Sequence, residues 1–264
     1  MVDSHRALDF AGRIVLVTGA GGVLGGVAGK AMAAAGAQLI LLDKSVPRLE
    51  QVSDEIVVGG GLNPALYPLD FKSATEADYE TLADIVGQQF GQLHGLLHSA
   101  AELGTLGPLP DVSASSWQEL LLVNLTAPFL LTRALLPLLS RGPERSAVVF
   151  TTDSSARSSA AYWGAYGVAK YALEGLARMW AEELDGAGRV RINLLAPGPI
   201  RSTIRRLSHP AESAARLPLP ETLASHYLAL LHPSCAIASG AVVEVHRPSP
   251  DPASRIAVCT DVKA

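Results

Sequence analysis

The residues with the most chemistry to offer are Tyr166 and Lys170, in the run Tyr-Gly-Val-Ala-Lys. If this segment is helical, positions four apart share one face. A phenol has an unperturbed pKa of about 10, too high for a good base near neutrality. A nearby ammonium favours the phenolate and lowers that value. A tyrosine tuned this way can give a proton to a carbonyl oxygen as hydride arrives, or take one in the reverse direction. The same spacing arises by chance in many helices, as a packed ring beside a surface lysine. Its weight depends on the rest of the chain.

A second group of residues supplies that weight. Thr18-Gly-Ala-Gly-Gly-Val-Leu-Gly25 follows an apolar run, Ile14–Thr18. Glycines between a first strand and a first helix let the backbone approach a dinucleotide pyrophosphate, and the helix N-terminus offers free N–H groups. The next apolar run ends in Asp43. An acid there can accept hydrogen bonds from the adenosine ribose and would repel the extra phosphate of NADP, which makes NAD the expected cofactor. Lys44 follows directly and softens that preference.

These residues must be positioned by a regular frame. Short apolar runs at Ile14–Thr18, Gln38–Leu42, Ala65–Leu69, Leu93–His98, Ala147–Thr151, Arg189–Leu195 and Ala241–Val245 alternate with amphipathic stretches starting near Leu24, Val46, Thr75, Ser113, Gly164 and Glu221. The alternation predicts an α/β fold, a doubly wound parallel sheet with helices on both faces. With 264 residues, 48% hydrophobic and 17% charged, one domain over residues 1–247 is expected. A Pro-rich tail over 248–264 is expected to be a flexible extension, although its short apolar run Ile256–Cys259 can dock on a neighbour. Loops at Ala101–Val112 and Pro197–Pro220 interrupt the pattern and carry specificity.

Bulk features exclude several functions. The net charge is −4 without a basic run, which argues against nucleic acid and anionic membranes. Cys235 and Cys259 give neither a disulfide framework nor zinc spacing; they read as reduced thiols of a cytoplasmic protein. The N-terminus lacks the apolar core of a signal peptide. Leu120–Leu139 is nearly apolar, but Asn124 and Arg133 would be costly in a bilayer. It reads as a long buried helix, bent near Pro128. His94 and His98 read as hydrogen-bonded core residues, so no metal site is expected.

Taken together the motifs resemble the short-chain dehydrogenase/reductase family. The resemblance rests on Thr18–Gly25, Asp70 after the third strand, His98–Ala101 after the fourth, Val123-Asn124 in the long helix, Tyr166–Lys170 and Ala196–Ser202. It implies a nicotinamide cofactor, small carbonyl/alcohol substrates, and a homodimer or homotetramer formed through the long helices. By position, it implies that Gly19, Gly22, Val23, Leu24 and Gly25 lie along the pyrophosphate, and Asp70 and Phe71 beside the adenine. Ser99, Ala100 and Ala101 would line the riboses. Pro197, Gly198 and Ile200 would sit against the nicotinamide, with Ser202 near its carboxamide. Tyr166 would be the acid/base, Lys170 its tuning partner and a ribose ligand, and Asn124 the holder of a relay water.

Three departures from the family pattern stand out. Val23 occupies a usual glycine, and Val does not easily take φ > 0. Ser99-Ala100-Ala101 replaces Asn-Ala-Gly, and Ser supplies only part of the hydrogen bonding of Asn. The family's serine, thirteen residues before the tyrosine, is here Asp153. An ionised Asp153 would oppose negative charge on the substrate oxygen and raise the tyrosine pKa. Three outcomes stay open: a protonated Asp153 donates a hydrogen bond, Ser154 takes the role through a twist of the strand end, or activity is lost. The last would leave a cofactor-binding sensor or scaffold. Arg201, Arg205 and Arg206 either attract an anionic substrate or are simply solvated.

Overall fold

The computed structural model describes residues 8–153, 161–245 and 257–258. Its strands are β1 (Ile14–Thr18), β2 (Gln38–Asp43), β3 (Ala65–Pro68), β4 (Gly95–His98), β5 (Ser146–Thr151), β6 (Val190–Ala196), β7 (Val242–Glu244) and β8 (Ala257–Val258). The sheet order is β3-β2-β1-β4-β5-β6-β7-β8. Every pairing through β7 is parallel, and β8 runs antiparallel to β7. The order reverses between β1 and β4, the crevice where open α/β sheets bind ligands at the carboxyl ends of their strands. Register brings those ends level: Thr18 lies between Leu42 and His98, and Phe150 between His98 and Leu194.

Two apolar layers sandwich the sheet, because successive strand residues point to opposite faces. Val15, Val17, Leu39 and Leu41 pack with Met32 and Tyr227 on one side. Leu16, Ile40 and Leu42 pack with Leu131 and Leu173 on the other. The central strands are therefore apolar almost throughout, as strands covered on both faces must be.

The helices are α1 (Val23–Ala34), α2 (Val46–Val58), α3 (Glu76–Phe90), α4 (Ala114–Leu121), α5 (Ala127–Leu139), α6 (Gly164–Asp185), α7 (Thr203–Ser208) and α8 (Ala224–Leu231). Thr75 and Asp78 form a reciprocal capping box at the start of α3. Ser113 caps α4 by accepting the Ser116 N–H.

The long apolar stretch departs from its expected form. A π-helical turn, Leu122–Thr126, joins α4 to α5. The irregularity thus lies before Pro128, which sits in the first turn of α5, where its missing N–H is harmless. The span Ala114–Leu139 is long and apolar enough to cross a membrane by length and composition, yet Leu131, Leu135 and Leu138 are buried against the sheet. The helix expected from Glu221 begins as a tight 3-10 turn, Pro220–Leu223, before α8. Helix α7 was not foreseen. In the tail, Ala257 and Val258 pair with Glu244 and Val243 of the chain's own β7; Cys259 lies outside the described residues.

His98 and His94 find core partners. The His98 ring stacks on Phe150 at 4.6 Å, and its Nε2 shares a 2.9 Å hydrogen bond with Thr132 Oγ1. His94 Nδ1 accepts the Ile14 N–H at 3.0 Å. Burial, helped by the Lys170 cation, pushes His98 down to about 3. The unfolded chain, with His near 6.5, therefore binds more protons between these values. Stability is fully present above pH 6.5 and declines as pH falls towards 3. His94, His226 and His232 are also lowered by burial and add to the decline. Urea unfolding at pH 7.5 and pH 5 is expected to show that loss, and His98→Gln should lose less. Equal losses in both proteins would refute the assignment.

Candidate active site

A cavity of about 430 Å³ opens at the carboxyl ends of the strands. One end is the glycine turn. Gly19 adopts φ +64°, and a Cβ there would stand 2.6 Å from the Ala100 backbone. A Cβ on Gly25 would meet the Gly19 carbonyl oxygen at 2.3 Å. Gly22 heads α1 without a side-chain cap. The first N–H groups of that helix therefore remain available to an anion. Val23 is simply the first residue of α1. Among the described residues the one non-glycine at positive φ is Tyr162. The turn thus places no demand on Val23 that valine cannot meet. These features fit a dinucleotide pyrophosphate.

Thr18 supports the adjoining loop. Its Oγ1 accepts the N–H groups of Ser99 (3.1 Å) and Ala100 (3.2 Å). Ser99, Ala100 and Ala101 line the cavity, as do Gly19, Gly22, Val23, Leu24 and Gly25. At the far end Asp43 turns towards backbone: Oδ2 accepts the Gly21 N–H at 3.1 Å and Oδ1 the Ser45 N–H at 3.0 Å. Lys44 and Arg48 line the same end, and Arg48 lies against the turn, 2.7 Å from where a Gly21 Cβ would be. Asp70 and Phe71 close this end.

The opposite end carries the reactive group. Tyr166 and Lys170 lie on the buried face of α6. The Tyr166 hydroxyl donates to Asp153 Oδ2 at 3.1 Å. Lys170 Nζ donates to the Thr151 carbonyl at 2.9 Å and stands 5.8 Å from the tyrosine ring centroid. Asp153 thus occupies the position beside the tyrosine; Ser154 lies outside the described residues. Burial raises the Tyr166 pKa well above 10, and the Asp153 charge and hydrogen bond raise it further. That corrects the expectation that Lys170 would lower it. Burial in turn lowers Lys170 to about 8, with Asp153 opposing. The strand end presenting Asp153 is braced by Thr152, whose hydroxyl donates to the buried Glu174 at 3.0 Å.

Pro197, Gly198, Ile200 and Ser202 line the cavity below the loop after β6. Ser202 also caps α7, accepting the Arg205 N–H. Asn124 is placed differently from its expected role. It is buried in the π-helical turn, and its amide is spent on structure: Oδ1 accepts the Glu102 N–H, and Nδ2 donates to the carbonyls of Glu102 and Leu120. It holds the wall carrying Glu102 and does not itself line the cavity. Two of the three lid arginines are similarly engaged. Arg205 pairs with Glu212 through Nε and Nη2, and Arg201 Nε donates to Ala214 O. They brace the lid.

The sequence did not single out Trp163, Leu207 or His209, yet all three line the cavity. The Trp163 ring lies 5.9 Å from Tyr166 and 6.0 Å from His209. Trp163 directly precedes α6, and that adjacency was its one available signal. Arg48 was also missed, one turn into α2.

A family model described as short chain dehydrogenase matches residues 13–213. The chain belongs to the short-chain dehydrogenase/reductase family. The uncharacterized oxidoreductase YciK of Escherichia coli K12 is 36% identical over 219 residues, covering 83% of this chain and 86% of that one. A protein from Pseudomonas syringae classed as a short chain dehydrogenase superposes with a TM-score of 0.86 at 38% identity, covering 92% of this chain and 99% of the other. Another, from Shigella flexneri 2a and complexed with NADP, gives 0.86 at 33% identity, covering 90% and 99%. A third, from E. coli CFT073 and complexed with NADPH, gives 0.86 at 33%, covering 90% and 98%. As a member of the family, the protein is an oxidoreductase that transfers hydride between a nicotinamide cofactor and a small organic substrate. The sensor or scaffold reading is not favoured.

Proposed function

We propose that this short-chain dehydrogenase/reductase interconverts a small carbonyl compound and its alcohol using NADP(H), with Tyr166 carrying the proton. The observation that supports this most is the joining of a glycine cradle and a buried Tyr166–Lys170 pair in one cavity. Gly19, Gly22, Val23, Leu24 and Gly25 would hold the pyrophosphate, with Asp70 and Phe71 at the adenine and Ser99–Ala101 at the riboses. Pro197, Gly198, Ile200 and Ser202 would hold the nicotinamide, which when bound supplies or takes the hydride. Tyr166 then gives its hydroxyl proton to the substrate oxygen, and Lys170 fixes the helix face and reaches a ribose. The hydroxyl hydrogen, given to Asp153 when no substrate is bound, would turn to the substrate oxygen for that transfer. Asn124 keeps the wall in place.

The preference for NADP(H) replaces the expectation of NAD. Both Asp43 oxygens accept backbone N–H groups. Lys44 and Arg48 offer two cations to a ribose phosphate at the same end. The family neighbours solved with NADP and NADPH favour the same reading. Hydrogen bonds to charged groups contribute about 1.5–3 kcal/mol. The Lys44→Ala/Arg48→Ala variant should therefore bind NADPH about tenfold or more weakly, with NADH changed less than about twofold. Parallel fluorescence titrations check this; equal losses for both cofactors would reject it. We further propose a cytoplasmic homo-oligomer. Val168, Tyr171 and Met179 stand exposed on α6, and α4 and α5 are only partly buried.

A further inference from the structure

Three separate features hold the Trp163 side chain against the reacting end of the cavity. The residue before it, Tyr162, adopts φ +74°, a conformation costly for a bulky side chain. The Tyr162 carbonyl oxygen accepts the Gly107 N–H at 2.9 Å, which ties this turn to the loop after β4. One turn along, in α6, Gly167 leaves a notch: a Cβ there would stand 2.9 Å from the Trp163 Cβ. Backbone strain persists only where the surroundings hold it, and it gathers where a side chain has to be aimed. The side chain aimed here is Trp163, which lines the cavity.

The ring stands between the proton donor and the lid. Its centroid lies 5.9 Å from that of Tyr166 and 6.0 Å from that of His209, tilted by 33° and 48°. His209 is itself held, by a 2.8 Å hydrogen bond between its Nδ1 and Ser208 Oγ. Leu103 and Leu207 line the same cavity. Trp163 is only partly buried, so part of its surface stays open to what enters. An aryl ring bonded to a carbonyl held at the Tyr166 hydroxyl falls within reach of that surface. A flat π-system laid offset or edge-on against an indole gains attraction beyond the burial of its area. A saturated ring of equal size gains the burial alone.

We propose that Trp163 sets the substrate class: carbonyl compounds with an aromatic ring bonded directly to the carbonyl carbon, and the corresponding benzylic alcohols. The inference rests on the assignment of Tyr166 to carbonyl reduction. The aryl ring lies against Trp163 while the carbonyl oxygen meets the Tyr166 hydroxyl. Hydride from NADPH adds to the carbonyl carbon, the C=O π pair moves onto oxygen, and that oxygen takes the Tyr166 proton. A benzylic alcohol and NADP⁺ result, and the phenolate regains a proton from solvent. Trp163 takes no part in these bonds. It acts on how tightly the carbonyl compound is held.

The test compares acetophenone with cyclohexyl methyl ketone, a pair matched in size, by two readouts. The first is calorimetric binding of each ketone, without cofactor and with NADP⁺, which cannot reduce them. The second is the kcat/KM of each with NADPH. The wild type should bind acetophenone about threefold to tenfold more tightly, the range of one aromatic contact. Trp163→Leu keeps apolar bulk without a π face, and should lower the aromatic-to-saturated ratio by about the same factor in both readouts, through KM rather than kcat. Trp163→Phe should keep most of the preference. Gly167→Ala, whose added methyl presses on the Trp163 Cβ, should reduce it. Equal binding of the two ketones by the wild type, or ratios unchanged in Trp163→Leu, would overturn the proposal and leave the carbonyl reading standing. Absence of ketone turnover would instead strike the carbonyl reading, while the cofactor-free titrations still decide this one.

Discussion

Tyr166→Phe is expected to keep cofactor affinity and lose carbonyl turnover by about 10²- to 10⁴-fold, the usual contribution of a positioned acid/base. The phenyl ring retains the packing that places Tyr166 beside Trp163 and under Lys170. What disappears is the hydroxyl that bridges Asp153 and the substrate. Asp153 also loses one donor, at a cost to stability of about 1–3 kcal/mol. Steady-state rates on a panel of small aldehydes and ketones, together with NADPH titration, separate these effects. Turnover within tenfold of wild type would sink the role given to Tyr166. Loss of NADPH binding would show that the hydroxyl holds the cofactor, so that the lost turnover says nothing of proton transfer.

Gly25→Ala should act at the other end of the cavity and through a different cause. The added methyl would stand 2.3 Å from the Gly19 carbonyl oxygen, an atom of the turn's own backbone. No side chain can swing aside to relieve that contact. The turn must open or α1 must move, and overpacking of this kind costs typically about 1–3 kcal/mol. NADPH and NADH should therefore both weaken by roughly tenfold to a hundredfold. Gly175→Ala is the contrasting change. Gly175 lies inside α6 with nothing within 4 Å of its added methyl. It should leave cofactor affinity alone and gain about 0.5–1 kcal/mol from helix propensity. Equal affinities for the wild type and Gly25→Ala would mean that the turn does not hold the cofactor.

The frame was legible because its signals are local. Buried parallel strands read as apolar runs, and all seven predicted strands begin within one residue of their observed starts or share their ends. The glycine turn was legible because its position between β1 and α1 fixes its geometry. Matters decided by long-range contact were not. Asn124 looked like a relay residue, but its partner Glu102 lies 22 positions away across a loop. The Lys170 effect on Tyr166 was read from helical spacing, whereas burial and Asp153 set the outcome. Asp43 looked like a ribose acceptor because its backbone partners, Gly21 and Ser45, appear only when β1 and β2 are paired. The break before α5 had no sequence signal, since a π-helical turn needs one extra residue and no special residue type.

Everything assigned to this cavity depends first on its binding a nicotinamide cofactor. Trp163 lines it, so a bound reduced nicotinamide should quench tryptophan emission and emit in turn. Titration of the wild-type protein with NADPH is predicted to give a saturable signal at one site per chain, with NADH weaker. The absence of a saturable signal from either cofactor at millimolar concentration would contradict the account.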